Sequence, residues 1–127
     1  NHWGIFMEIL ATVLTMLVGI EHLGIMGLEM FASPAKQAKA FGLSEEYVGQ
    51  KEARVSFANQ GIYNGMLGLS LIISYWLFSG TVLIKVWLLL LSFVIVVAFY
   101  GGLTVGKKVW AMQMLPAVLA AVCCVLA

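Results

Sequence analysis

Four long apolar stretches set the terms for any fold this chain can adopt: about Ile5 to Phe31, Phe57 to Ser79, Thr81 to Tyr100 and Val109 to Ala127. A helix needs about 20 mostly apolar residues to cross about 30 Å of hydrocarbon, and each stretch meets that length. Backbone amides in lipid must be satisfied within their own segment, which favours helices over irregular chain. With 62% hydrophobic and 10% charged residues, the composition excludes an ordinary soluble domain. The expected fold is all-α: an integral membrane four-helix bundle with antiparallel neighbours, forming one domain over residues 1–127. Residues 1–6 precede Met7-Glu8-Ile9-Leu10, which reads as a natural start, so they are expected to be an appended remnant.

Short connections enforce the antiparallel order. Ser79-Gly80-Thr81 predicts a tight hairpin, and Gly101-Gly102-Leu103-Thr104-Val105-Gly106 predicts a turn before Lys107. The long connection, Ala32 to Ser56, carries helix-start signals at Ser33-Pro34 and at Ser44-Glu45-Glu46, with Gly42 where the first short helix should stop. Both short helices are expected on the cytoplasmic side. Lys51 and Arg54 should extend the second span to the headgroups, where basic side chains snorkel.

Charge sets the orientation. Lys36, Lys39, Lys51, Arg54, Lys107 and Lys108 fall in the first and third connections, and only Lys85 lies by the second. The excess of basic residues on one side places those connections in the cytoplasm and both termini outside. Trp76 and Trp87 are expected at the outer interface and Trp110 at the inner one. A formal net charge of +1 gives no indication of nucleic-acid binding.

Polar residues inside the spans are the candidates for function, because an unsatisfied polar group in hydrocarbon costs several kcal/mol. On the first span Glu8, Thr12, Thr15, Gly19, His22, Met26 and Glu29 recur at spacings of three and four, forming one helix face. Lipid exposure of each ionisable group would cost about 2.5 to 3.5 kcal/mol, so this face should meet protein. Glu21 points about 100° away from His22 and needs a separate partner. The second span carries Asn59-Gln60-Gly61-Ile62-Tyr63-Asn64-Gly65. Gly61 and Gly65 form a GxxxG spacing suited to close helix packing, while Gln60 and Tyr63, with Asn64 at the margin, supply hydrogen-bonding groups.

Antiparallel order brings Glu29 near Asn59 and Gln60, and sets His22 at a depth comparable to Asn64. Tyr100 and Gln113 are expected to enter the same inner half from the third and fourth spans. Pro116 removes a backbone donor and frees the Met112 carbonyl beside Gln113. The resulting ligand-binding set is Glu21, His22, Glu29, Asn59, Gln60, Tyr63, Asn64, Tyr100 and Gln113. His22, Met26 and Met30 repeat every four residues as a soft-metal ladder would, but methionine at such positions reads better as packing. Cys123 and Cys124 read as small apolar residues, and no cofactor or metal motif is visible.

The segments Gly19 to Phe31 (GIEHLGIMGLEMF) and Asn59 to Gly65 (NQGIYNG) resemble a family of small four-span bacterial membrane proteins catalogued only as a domain of unknown function. YGGLTVGKK and QMLP extend the likeness more loosely. The resemblance implies a bacterial cytoplasmic-membrane location and a common site made of Glu21, His22, Glu29, Asn59, Gln60, Tyr63, Asn64 and Gln113. It implies no activity. The size and embedded carboxylate also look like the small multidrug exporters, from which the long first connection and NQGxYNG depart.

Three functions fit this pattern. The leading expectation is binding or transport of a small amphipathic or cationic molecule, coupled to protons, with Glu21 or Glu29 as counter-charge and a homodimer enclosing the path. A membrane isomerase or quinone-linked enzyme, with His22 and a glutamate as acid and base, is the alternative. A structural partner subunit is the third.

Overall fold

The computed structural model describes residues 2–127, with Asn1 outside them. Every regular element among the described residues is helical. The order is α1 (His2–Phe31), α2 (Pro34–Phe41), α3 (Glu45–Val48), α4 (Lys51–Leu77), α5 (Gly80–Thr104), a π-helical turn (Trp110–Met114) and α6 (Leu115–Leu126). Among the described residues two helices, α1 and α5, are by length and composition long and apolar enough to cross a membrane. The apolar helix over Trp110–Leu126 is shorter, and α4 is diluted by the amides of its first half. The expectation of four apolar spans is therefore met in part.

The connections follow from local chemistry. Ser33 Oγ accepts from the Lys36 N–H at 3.2 Å with Pro34 opening α2, and Gly42 ends it at φ 68°, in the left-handed region that glycine tolerates. Ser44 Oγ likewise accepts from the Tyr47 N–H at 3.1 Å to start α3. Helix α4 begins at Lys51, six residues before the expected span. Between α4 and α5 the tight turn passes through Gly80 at φ 59°.

One expectation needs correction. Helix α5 does not stop at Tyr100 but runs through Gly101 and Gly102 to Thr104, and the turn comes at Val105 and Gly106, whose N–H groups both reach the Gly101 carbonyl. Here the glycines serve packing: a Cβ on Gly102 would collide with the Trp110 indole, and one on Gly101 would stand 3.1 Å from Val109 Cγ1. Trp87 is 1% exposed, and its indole N–H donates to the Leu71 carbonyl at 2.9 Å. A buried indole that finds an acceptor is stable in a core, and the Trp87 ring therefore packs between helices.

The chain divides into two compact units, Ile20–Leu69 and a second formed by Ser70–Ala127 with the chain up to Gly19. In the latter, α1 presents Met7, Ala11, Thr15 and Val18, α5 presents Trp87, Leu91, Val94 and Ala98, and α6 presents Ala117, Ala120, Cys123 and Cys124, all buried. Each set follows three- and four-residue spacing, the mark of a single packed helix face. Thr15 Oγ1 lies 3.9 Å from Cys124 Sγ, and the Tyr75 and Trp87 rings stack at 6.4 Å. In Ile20–Leu69 the buried residues Ala38, Val48 and Ala53 accompany a stacked Phe41–Phe57 pair with centroids 5.8 Å apart.

Candidate functional site

Within Ile20–Leu69, α1 and α4 meet through the GxxxG face. A Cβ on Gly61 would stand 2.6 Å from Met30 Cγ and 3.3 Å from the Met26 carbonyl, and one on Gly65 would overlap the Met26 thioether. The two glycines therefore let the helices approach where Met26 and Met30 supply the filling. This is packing, the role favoured over a metal ladder for those methionines.

That approach sets Glu29 against the amides of α4. Glu29 is 2% exposed, and Asn64 Nδ2 donates to its Oε1 at 2.6 Å. The Gln60 side chain also hydrogen-bonds this carboxylate. Gln60 and Asn64 are four residues apart and so share one face of α4. The expected neighbour of Glu29 was Asn59 with Gln60, whereas Asn59 donates to its own helix at the Val55 carbonyl, 2.9 Å away. The cause is side-chain direction. Side chains tilt toward the N-terminus of their helix, so Glu29 reaches back along α1 and meets α4 one turn later than the backbone positions suggest.

A second group, not anticipated from the sequence, fixes the end of α1. Gln37, on α2 and 1% exposed, donates from Nε2 to the Leu28 carbonyl at 2.8 Å and the Glu29 carbonyl at 3.1 Å. Arg54 donates to Gln37 Oε1 and to the Ala32 carbonyl, each at 3.3 Å. The final carbonyls of a helix lack intrahelical donors and carry partial negative charge, so an amide and a guanidinium suit them. Arg54 was expected to snorkel; it is half-buried and directed at this cap. The available signal was the face Pro34, Gln37, Ala38 and Phe41, which leaves Lys36 and Lys39 on the exposed side.

The other predicted residues are placed as follows. His22 is buried. Glu21 is partly exposed, but its Oε1 is buried with no hydrogen-bond partner among the described residues. Tyr63 is 79% exposed. Tyr100, which is exposed, and Gln113, which is partly buried, belong to the other unit. The structure thus brings Glu29, Gln60 and Asn64 together. Ahead of Pro116, the Leu115 N–H bonds to the Trp110 carbonyl, so the missing donor is accommodated by a π turn.

Chemically, a buried carboxylate held by two neutral amides is a fixed, orientated acceptor. Its described partners contribute no charge of their own. It can hold a proton or face a cation.

Comparison with known proteins places these residues in a family. Residues 16–125 match the family described as "Protein of unknown function (DUF1304)". A relative from Lactococcus lactis subsp. lactis (strain IL1403), called "Uncharacterized protein YpaA", is 40% identical over 104 residues, covering 81% of this chain and 86% of its own length. No solved structure matches. The matched region contains Glu21, His22, Glu29, Gln37, Arg54, Gln60 and Asn64, and the chain belongs to the DUF1304 family.

Proposed function

We propose that this chain is a four-span protein of the bacterial cytoplasmic membrane that binds and translocates a small cationic or amphipathic molecule, with Glu29 as the counter-charge. In this reading α1, α4, α5 and the Trp110–Leu126 helix cross the bilayer, the basic connections lie in the cytoplasm, and both termini lie outside. The apolar length of α1 and α5 supports the membrane assignment. Of the amides that interrupt α4, Asn64 is satisfied by Glu29 and Asn59 by the Val55 carbonyl of its own helix, which lowers the cost of carrying them in a span.

One observation carries the binding proposal: the Glu29 carboxylate is buried and its described partners are neutral amides. An ionisable group within a span is costly, so its presence points to a role, and a carboxylate with two orienting donors is suited to exchanging a proton for a cationic ligand. Glu21, with its unpartnered buried oxygen, offers a second counter-charge on the same helix. A chain of this size would need a second copy to enclose a path.

The test is flux in proteoliposomes. Uptake of lipophilic cations should depend on an imposed proton gradient and should fall at least about tenfold in Glu29→Gln, which keeps the size and loses the charge. Gradient-independent flux equal to that of empty vesicles across a broad cation panel would overturn the proposal.

A further inference from the structure

A cavity in the unit formed by Ser70–Ala127 with the chain up to Gly19 is lined by none of the Glu29 cluster. Its volume is about 830 Å³, within the range of small-molecule sites. Its walls come from four helical segments and combine two kinds of side chain. Ile9, Val13, Leu83 and Val125 contribute aliphatic surface, and Glu8, Thr12, Tyr75, Thr81 and Lys85 contribute polar groups of both charge signs to the same cavity.

We infer that this cavity is a binding site for a bilayer phospholipid with a zwitterionic ethanolamine headgroup. The inference rests on the membrane reading above but not on transport. Lys85 supplies the cation for the phosphate, and Glu8 supplies an acceptor for the primary ammonium. An uncapped helix start adds to the anionic end: Ser79 provides no side-chain bond to the first turn of α5, and Gly80 and Thr81 line the cavity. Thr12 donates its hydroxyl proton to the Glu8 carbonyl at 2.8 Å, and among the α1 residues lining the cavity the Glu8 carboxylate is the one anionic acceptor. Acyl carbons fit the aliphatic wall, since Ile9, Val13, Leu83 and Val125 bear no polar side-chain atom.

The headgroup preference follows from hydrogen bonding. An ethanolamine ammonium donates to a carboxylate; a choline trimethylammonium cannot. A glycerol headgroup carries the phosphate charge but no cation for Glu8. One and the same cavity therefore predicts phosphatidylethanolamine above both phosphatidylcholine and phosphatidylglycerol.

Native mass spectrometry of the full chain, released from detergent with equal amounts of the three lipids at matched chain length, tests this. The wild-type protein should retain phosphatidylethanolamine about tenfold over phosphatidylcholine, the equivalent of one charge-assisted hydrogen bond. Glu8→Gln should remove the preference over phosphatidylcholine, Lys85→Ala should lower retention of all three, and Val13→Trp should exclude lipid by filling the wall. Glu8 and Lys85 are exposed, so their replacement leaves the packed faces untouched. Lys39→Ala, at an exposed side chain that lines no part of the cavity, serves as the internal control and should retain lipid as the wild type does. Equal retention of the three lipids, or retention unchanged by Glu8→Gln and Lys85→Ala, would overturn the inference. Resistance of the same protein to carbonate extraction from membranes tests the membrane reading separately.

Discussion

Asn64 Nδ2 donates to Glu29 Oε1 across 2.6 Å, joining α4 to α1 by a bond whose acceptor is almost wholly buried. Removing one partner from such a bond strands the other, whereas removing both can be nearly neutral. Asn64→Leu should therefore destabilise the protein by about 1–3 kcal/mol, and the double variant Asn64→Leu with Glu29→Leu should recover most of that loss. Denaturant titration of the four members of the cycle in one detergent measures the coupling; additive effects would show that the bond carries no stability.

The glycine face makes a steric prediction. Gly65→Ala places a Cβ on the Met26 side chain, with Met26 Cβ itself at 3.2 Å, so the flexible thioether can move only part of the way. Overpacking of this kind costs about 1–3 kcal/mol. Met26→Ala should relieve it, and the thermal midpoint of the double variant should exceed that of Gly65→Ala alone.

At the end of α1, Gln37→Leu removes two carbonyl contacts and leaves Arg54 without its amide acceptor. The expected cost is about 1–3 kcal/mol, with faster hydrogen exchange confined to residues 28–41. Arg54→Lys should be intermediate, because a single ammonium lacks the fork that reaches both Gln37 and Ala32. Uniform exchange along the whole chain in Gln37→Leu would contradict a local cap.

Trp87 offers a spectroscopic check. Its indole is buried and hydrogen-bonded, while Trp76 is exposed. Trp87→Phe should remove the blue-shifted component of the intrinsic fluorescence and lower stability by about 0.5–1.5 kcal/mol through the lost Leu71 bond. Quenching of the remaining tryptophans by a soluble or lipid-borne quencher should be unchanged.

Much of this arrangement was legible from residue patterns. The caps at Ser33, Gly42 and Ser44 were readable because each satisfies backbone groups within a few residues, a strictly local requirement. The GxxxG packing was readable for a similar reason: its periodicity is visible on one helix. What escaped was pairing across elements. Asn64 rather than Asn59 reaches Glu29 because of side-chain tilt, which sequence spacing does not encode. Gln37 lies among lysines in a short helix and has a neutral side chain, so nothing local marks it as the residue that closes α1. Gly101 and Gly102 read as a turn because close approach and chain reversal both select glycine, and only the position of Trp110 separates the two.

The π turn at Trp110–Met114 has a consequence for how the sequence can change in length. A π turn holds one residue more than the α-helical turn it replaces, so it is the place in the last helix where a deletion can be absorbed by reverting to α geometry. Loss of one residue there would leave Ala117, Ala120, Cys123 and Cys124 facing inward as they do now. The same loss within residues 117–122 would rotate Cys123 and Cys124 by about 100°, breaking the buried face in two. Tolerance to insertion and deletion along this helix should therefore be concentrated at the five residues from Trp110 to Met114.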